Sequence, residues 1–282
     1  MAQASATGKT ADFIRRHPTI VIGAILLALI ALIALFAPYI ARDPIVFEPI
    51  NRLKSPSAEF WLGTDSLGRD VYARTVYGAR ISLLVGLTVA IVSVTCGLLI
   101  GLLAGYFQRV DAVVMRVMDG VMAIPAILLA IALVALLGAS VKVVIIAIAI
   151  PEIPRVTRLV RAVVLSVRDL PFVEAARSNG TRIGKLLRRH ILPSTVAPLI
   201  VQGTFICASA ILTEAGLSFL GAGTPPEIPT WGNMIASSRL YLQIAPWTIF
   251  APGLCLALVV LAVNLLGDGL RDRLDPRISR RM

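Results

Sequence analysis

Charge is scarce in this chain. Of its 282 residues, 15% are Asp, Glu, Lys or Arg, where soluble domains carry about 25%. Hydrophobic residues make up 57%, and the mean hydropathy is +0.85. Such a chain lacks the polar surface to coat a globule, which excludes a soluble enzyme and a disordered polymer. Aromatics are few, at 6%. No basic run is interleaved with exposed aromatics as single-strand binding requires, so nucleic acid is excluded as a partner despite the net charge of +11. Cysteine is scarce too. Cys96, Cys207 and Cys255 stand far apart in apolar stretches, which gives no disulfide framework and no Cys-x-x-Cys pair. They read as small buried hydrophobes. His17 and His190 both fall outside the apolar runs, so no metal site is expected. Gly8-Lys9-Thr10 imitates the end of a phosphate-binding loop, but Gln3 stands where that pattern needs glycine. With no nucleophile–histidine–acid set, the chain is expected to be non-catalytic and to hold no cofactor.

What is present is apolar length. Six runs stand out: Thr19–Ile40, Ile81–Phe107, Val117–Leu137, Val141–Val160, Ser194–Leu220 and Ala245–Leu266. Each approaches the roughly 20 residues that cross a bilayer as a helix. The expectation is an all-α membrane protein with six transmembrane helices. A tail of residues 1–18 precedes a membrane domain of residues 19–266, and a second tail covers 267–282. The first run is longer than the core of a signal peptide and reads as an uncleaved span. Gly97, Gly101 and Gly105 recur every four residues, which lets another helix approach closely. Pro125 falls inside the third run, and Pro151, Glu152 and Pro154 interrupt the fourth. Met115, Met118 and Met122 form a stripe of helical spacing that reads as packing.

Six spans put both termini on one side. Of the 27 Lys and Arg, 19 fall in the two tails, the 106–117 loop and the 155–193 segment. The positive-inside rule therefore places these in the cytoplasm. Within the last segment, residues 169–193 read as two short helices. Asp169 is placed to cap the first, with Pro171 in its first turn. Gly180 is placed to stop it in a left-handed conformation. Thr181 is placed to cap the second, whose Ile183, Leu186, Leu187 and Ile191 share one face. Pro193 ends it or bends it into the fifth span.

This segment resembles the cytoplasmic loop motif of ABC-importer permeases. Glu174, Ala175 and Ala176 are followed by Gly180 and, after nine residues, by an ending at His190, Ile191, Leu192 and Pro193. His190 departs from the usual isoleucine, and Ile191 keeps the ending apolar. Further stretches resemble the second permease subunit of dipeptide, oligopeptide and nickel importers: Trp61 through Arg80, Leu217 through Gly221 with Pro225, Pro226, Pro229 and Trp231, and Leu266 through Asp272 with Leu274 to Arg277. The resemblance covers about residues 15–277. It implies a subunit of the cytoplasmic (inner) membrane that forms half of a peptide pathway. The implied partners are a homologous second permease, two ATP-binding subunits, an extracytoplasmic substrate-binding protein and the lipid bilayer. Glu174, Ala175, Ala176, Gly180, Ile191, Leu192 and Pro193 would couple it to the ATPase.

Bottom-up, the 61–80 stretch reads as a turn and a short helix with Asp70 pairing Arg74 four residues on, and Tyr72 and Val76 on the membrane surface. The loop 221–247 is stiffened by proline, and Trp231 and Trp247 suit a membrane interface. Glu152, Gln202, Glu214 and Asn264 lie within spans, where a polar group marks a pathway or a helix–helix contact. Three rival readings remain at this level: a nickel or other small-solute importer of the same family, a secondary transporter with Glu152 or Glu214 as proton relay, and a structural subunit without a pathway.

Overall fold

A computed structural model describes residues 17–274. Most of the tail 1–18, with Gly8-Lys9-Thr10, and the second half of the tail 267–282 lie outside the described residues. Apart from one isolated bridge between Thr64 and Asp70, the described residues form helices and their connections, as the apolar runs predict. Helix α1 is Pro18–Ile40 and α2 is Val71–Tyr106. Helices α3 (Gln108–Met122) and α4 (Ala126–Leu137) precede α5 (Val141–Val167). The short α6 (Pro171–Ser178) and α7 (Ile183–Leu186) lead to α8 (Leu192–Phe219). Helices α9 (Trp231–Ser238) and α10 (Trp247–Leu274) complete the chain.

Four stretches are long and apolar enough to cross a membrane: α1, α2, the continuous helical stretch Ile183–Phe219, and α10. The third run is not one straight span. It breaks between Met122 and Ala126, and α3 and α4 meet at 85°. Pro125 has no N–H to continue the helix and disfavours helical geometry at Ile124, so the chain turns there. The fourth run behaves in the opposite way, with Pro151 and Pro154 inside an unbroken α5. Its flanks are buried at Ala147, Ile148, Ala149 and Val156, and Ser93 Oγ of α2 donates to the Ala149 carbonyl at 3.4 Å. Neighbouring helices hold such a stretch helical where proline removes an internal bond. Helix α5 has the length of a span but carries Lys142, Glu152, Arg155 and Arg158.

The glycine spacing has its partner within the same chain. A β-carbon at Gly97, Gly101 or Gly105 would lie 2.5, 2.7 or 2.6 Å from the β-carbons of Val156, Val160 and Val164. Valines four residues apart on α5 thus sit on glycines four residues apart on α2, and all three valines are fully buried. The numbers rise together, so α2 and α5 run parallel. The chain between them therefore returns along the length of both helices, and α3 with α4 makes that return. Helix α3 buries no residue. It is tied to α5 by Asp111 with Arg161 and by Asp119 with Arg158 at 2.5 Å.

The other helices alternate in direction. Gly86 of α2 meets Ile211 and Cys207 of α8, while Gly203 of α8 meets Val94, an antiparallel pairing. Gly269 near the end of α10 packs on Thr19 and Ile20, and Gly23 on Ala262 and Leu266. The start of α1 and the end of α10 therefore share one end of the bundle. One apolar core lies among α2, α4, α5 and α8 and takes in residues of α6 and α7, and a second lies among α1, α2, α8, α9 and α10.

Candidate functional site

Residues 169–193 sit at the end of the bundle where α2 and α5 finish. Helix α6 begins after Leu170, with Pro171 in its first turn. Asp169 does not cap it and instead lies 3.3 Å from Arg168. Its C-terminus is a Schellman motif. Thr181 N–H donates to the Ala176 carbonyl at 3.1 Å and Gly180 N–H to that of Arg177 at 3.0 Å. Gly180 has φ +75°, as its sequence position predicts. The second helix starts after Arg182 rather than Thr181 and has no side-chain cap. It widens into a π-helical turn at Leu187–Ile191 and then runs into α8 without a break. Pro193 neither ends nor sharply bends it. A π turn before proline gives its ring room against the preceding carbonyls.

Val173, Ala176, Leu186 and Ile191 anchor the segment in the core, against a cluster that includes Val164 and Val167. Arg168 Nη1 donates to the Gly105 carbonyl at 3.1 Å and so ties the segment to the end of α2. The outward surface carries Leu170, Phe172 and Ile183, each exposed, among Arg177, Arg182, Lys185, Arg188 and Arg189. Ile183 thus leaves the buried face that periodicity assigned to it. Leu170 and Phe172 were not singled out from sequence, although both flank Pro171 next to the motif. Glu174 and Ala175 are exposed, Leu192 is half-buried and Pro193 is exposed. Glu174 makes no ion pair among the described residues, which leaves its carboxylate available to another chain. Phe172 and His190 face each other across 6.5 Å.

The opposite end joins the 61–80 and 221–247 stretches. The short helix expected after Gly68 is the start of α2, and Asp70 is its N-cap, accepting from Tyr72 N–H at 2.9 Å. Burial pushes the Asp70 carboxyl above its ordinary range, against the pull of backbone N–H groups and Arg42. Arg74 does not pair with Asp70. It lies 3.8 Å from Asp65, which also holds Arg69 at 2.7 Å. Arg74 donates to the carbonyls of Pro44 at 3.3 Å and Pro226 at 3.4 Å, so one buried guanidinium gathers three loops. Val76 is buried, not on a membrane surface. Trp231 is 1% exposed and is no interfacial anchor. Its Nε1 donates to the Thr75 carbonyl at 3.0 Å, and its ring covers Gly78. Trp247 is half-buried, its Nε1 donating to the Thr64 carbonyl at 3.2 Å.

The four polar residues within spans are not brought together. Glu152 is buried and paired with Arg155 at 2.9 Å. Gln202 lines an open cleft of about 450 Å³ with Leu159, Phe205 and Arg271. Asn264 is half-buried on α10. Glu214 lies about 18 Å along α8 from Gln202 and accepts from Ser218 Oγ and Thr230 Oγ1, both at 2.9 Å. Thr230 in turn caps α9 by accepting from Asn233 N–H. Glu214 therefore anchors the 221–230 loop to α8. We expect Glu214→Gln, which can still accept from both hydroxyls, to leave the KM for uptake unchanged. Glu214→Leu strands two hydroxyls and should cost about 1–3 kcal/mol in thermal unfolding. A KM altered by Glu214→Gln with stability unchanged would place this side chain on the substrate instead.

Residues 97–280 match the family described as binding-protein-dependent transport system inner membrane component. Residues 12–56 match the N-terminal TM domain of oligopeptide transport permease C. The chain belongs to this family of transport permeases, as its motifs suggested. It is 63% identical to "Probable peptide ABC transporter permease protein y4tQ" of Sinorhizobium fredii, over 95% of this chain and 92% of that one. It is 45% identical to the dipeptide transport system permease protein DppC of Alkalihalophilus pseudofirmus, over 94% and 88%. It is 44% identical to the glutathione transport system permease protein GsiD of Escherichia coli, over the same shares.

Proposed function

We propose that this chain is the permease subunit of an ATP-driven importer and forms half of a pathway for di- or oligopeptides. The near full-length similarity to a relative named as a peptide permease carries this reading. A homologous second permease would supply the other half. An extracytoplasmic binding protein would deliver substrate, and two ATP-binding subunits would hydrolyse ATP, leaving this chain non-catalytic. The exposed apolar and basic surface at residues 170–189, with the unpaired Glu174, suits docking of an ATP-binding subunit. The chain would cross the inner membrane six times, α3 with α4 as the third crossing and α5 as the fourth. Both tails would be cytoplasmic, beside the basic 155–193 segment. The relative named as a glutathione permease favours a second reading, a γ-linked tripeptide as cargo. A proton relay gains little support from Glu152 and Glu214, since one is ion-paired and the other anchors a loop.

The test is uptake by the assembled importer in proteoliposomes with ATP sealed inside. Dipeptide or oligopeptide uptake that requires ATP and the binding protein is the expected result. Glutathione uptake without peptide uptake would select the second reading. Uptake driven by a proton gradient without ATP would overturn both. Thiol labelling of Ser178→Cys from the cytoplasmic side and of Glu227→Cys from the other side is expected in the same vesicles.

A further inference from the structure

The far end of α1 carries a pocket unrelated to the segment at residues 169–193. Its volume is about 270 Å³, and Ile40, Arg42, Glu59, Trp61, Asp70 and Tyr72 line it. Its level in the bilayer follows from α1, which is apolar from Pro18 to Ile40 and then ends. A pocket there opens where hydrocarbon gives way to water. Below it α1 shows bare apolar surface, with Phe36, Tyr39 and Ile40 all exposed. Tyrosine at such a position is the ordinary interfacial anchor.

The pocket's chemistry has two signs and an aromatic corner. The Arg42 guanidinium lies over the Phe60 ring at 5.7 Å, and among the described residues it makes no ion pair. Glu59 is exposed and likewise makes none. Trp61 and Tyr72, both in the pocket wall, meet at 5.0 Å and 57°. Asp70 is already engaged as the cap of α2. A guanidinium held by no ion pair recognises phosphate. A carboxylate beside aromatic faces recognises ammonium.

We propose that this pocket holds the headgroup of a zwitterionic phospholipid, phosphatidylethanolamine. The phosphate sits on Arg42, and the ammonium sits between Glu59 and the Trp61–Tyr72 corner. The acyl chains lie along Phe36, Tyr39 and Ile40. A zwitterionic peptide has similar end groups, but the apolar surface running from the pocket down α1 fits acyl chains and has no use for a short peptide.

The experiment is native mass spectrometry of the full-length protein in detergent, titrated with phosphatidylethanolamine or phosphatidylglycerol. The protein should retain phosphatidylethanolamine about tenfold more tightly, the scale of one cation–π contact with its carboxylate. Glu59→Gln should erase that preference, and Glu59→Lys should reverse it toward phosphatidylglycerol. Trp61→Ala should weaken phosphatidylethanolamine alone, whereas Arg42→Ala should weaken both lipids. Glu59 and Trp61 are exposed, so the fold persists, and thermal unfolding in phosphatidylglycerol verifies it. Equal retention of both lipids by the unaltered protein, or an unchanged preference in Glu59→Gln, would overturn the proposal. Displacement of the lipid by a dipeptide would also overturn it and make peptide the occupant.

Discussion

Gly101→Leu should force α5 away from α2 and lower the yield and thermal stability of the folded subunit. The β-carbon alone would lie 2.7 Å from the Val160 β-carbon and 2.8 Å from the Thr157 carbonyl oxygen. Neither neighbour can give way, because Val160 and Thr157 are fully buried. A leucine adds three more carbons into the same seam. Overpacking commonly costs about 1–3 kcal/mol, and a seam of three consecutive contacts has no slack to lower that figure. That is about a fifth of a typical stability of about 5–15 kcal/mol, taken by one residue. The measurement is the amount of folded protein after detergent extraction, with its thermal midpoint. Gly120→Ala is the control, since nothing lies within 4 Å of its added carbon. Normal yield and midpoint in Gly101→Leu would mean that α2 and α5 do not touch in the membrane.

Gly180→Val should leave the bundle intact and lower uptake by about tenfold. No atom lies within 4 Å of a β-carbon at Gly180, so sterics with neighbours play no part. What changes is the backbone. At φ +75° an L-residue is disfavoured by roughly 1–2 kcal/mol, near the 1.4 kcal/mol that equals a factor of ten. That cost falls on the turn between α6 and α7, and it tilts the exposed Leu170, Phe172 and Ile183 away from the surface proposed to dock the ATP-binding subunit. Asparagine tolerates the left-handed region, so Gly180→Asn should recover much of the loss. Glu174→Ala should give a milder loss, as one charge-assisted contact is removed. Substrate-stimulated ATP hydrolysis and uptake by the reconstituted importer are the readouts. Uptake and stimulated hydrolysis in Gly180→Val equal to those of the unaltered importer would show that the turn transmits nothing.

The parts of the fold legible in sequence were those set by local chemistry. Gly180 had to be left-handed because a helix stops there and only glycine does so without strain. The 97–101–105 spacing announced a close approach, but its partner on α5 was hidden, because valine is unremarkable in an apolar run. Pro125 and Pro151 show the limit of local rules. Both interrupt apolar stretches, yet one becomes an 85° turn and the other stays within a helix. The difference lies in surroundings, since the stretch about Pro151 is buried against α2 whereas α3 buries nothing. Trp231 read as an interfacial anchor because the prolines before it suggested an outer loop. That loop folds inward, and Gly78 leaves the space that the indole fills. Asp70 and Arg74 had the spacing of an ion pair, but capping α2 engages Asp70, and Asp65 lies nearer the guanidinium. Glu174, Gly180 and Ile191 could be named from a motif. Leu170 and Phe172 could not, because exposure of an apolar side chain is a tertiary fact.

The parallel seam also limits how this subunit can move. Three valines seated on three glycines interlock like teeth, and the next equivalent register lies four residues away, about 6 Å along the axis. Intermediate positions would drive the valine methyls into the α2 backbone. Sliding of α2 against α5 is therefore barred, and any rotation would carry the two helices together as one lever. The freedom to change shape falls to the pieces the seam does not grip: the Pro125 elbow, and α3, moored to the lever by two ion pairs. A push on the surface proposed to dock the ATP-binding subunit would reach that lever through the Arg168–Gly105 tether at its very end. Small rotations there would appear as larger displacements at the opposite end of the bundle, with mechanical advantage set by the length of the two locked helices.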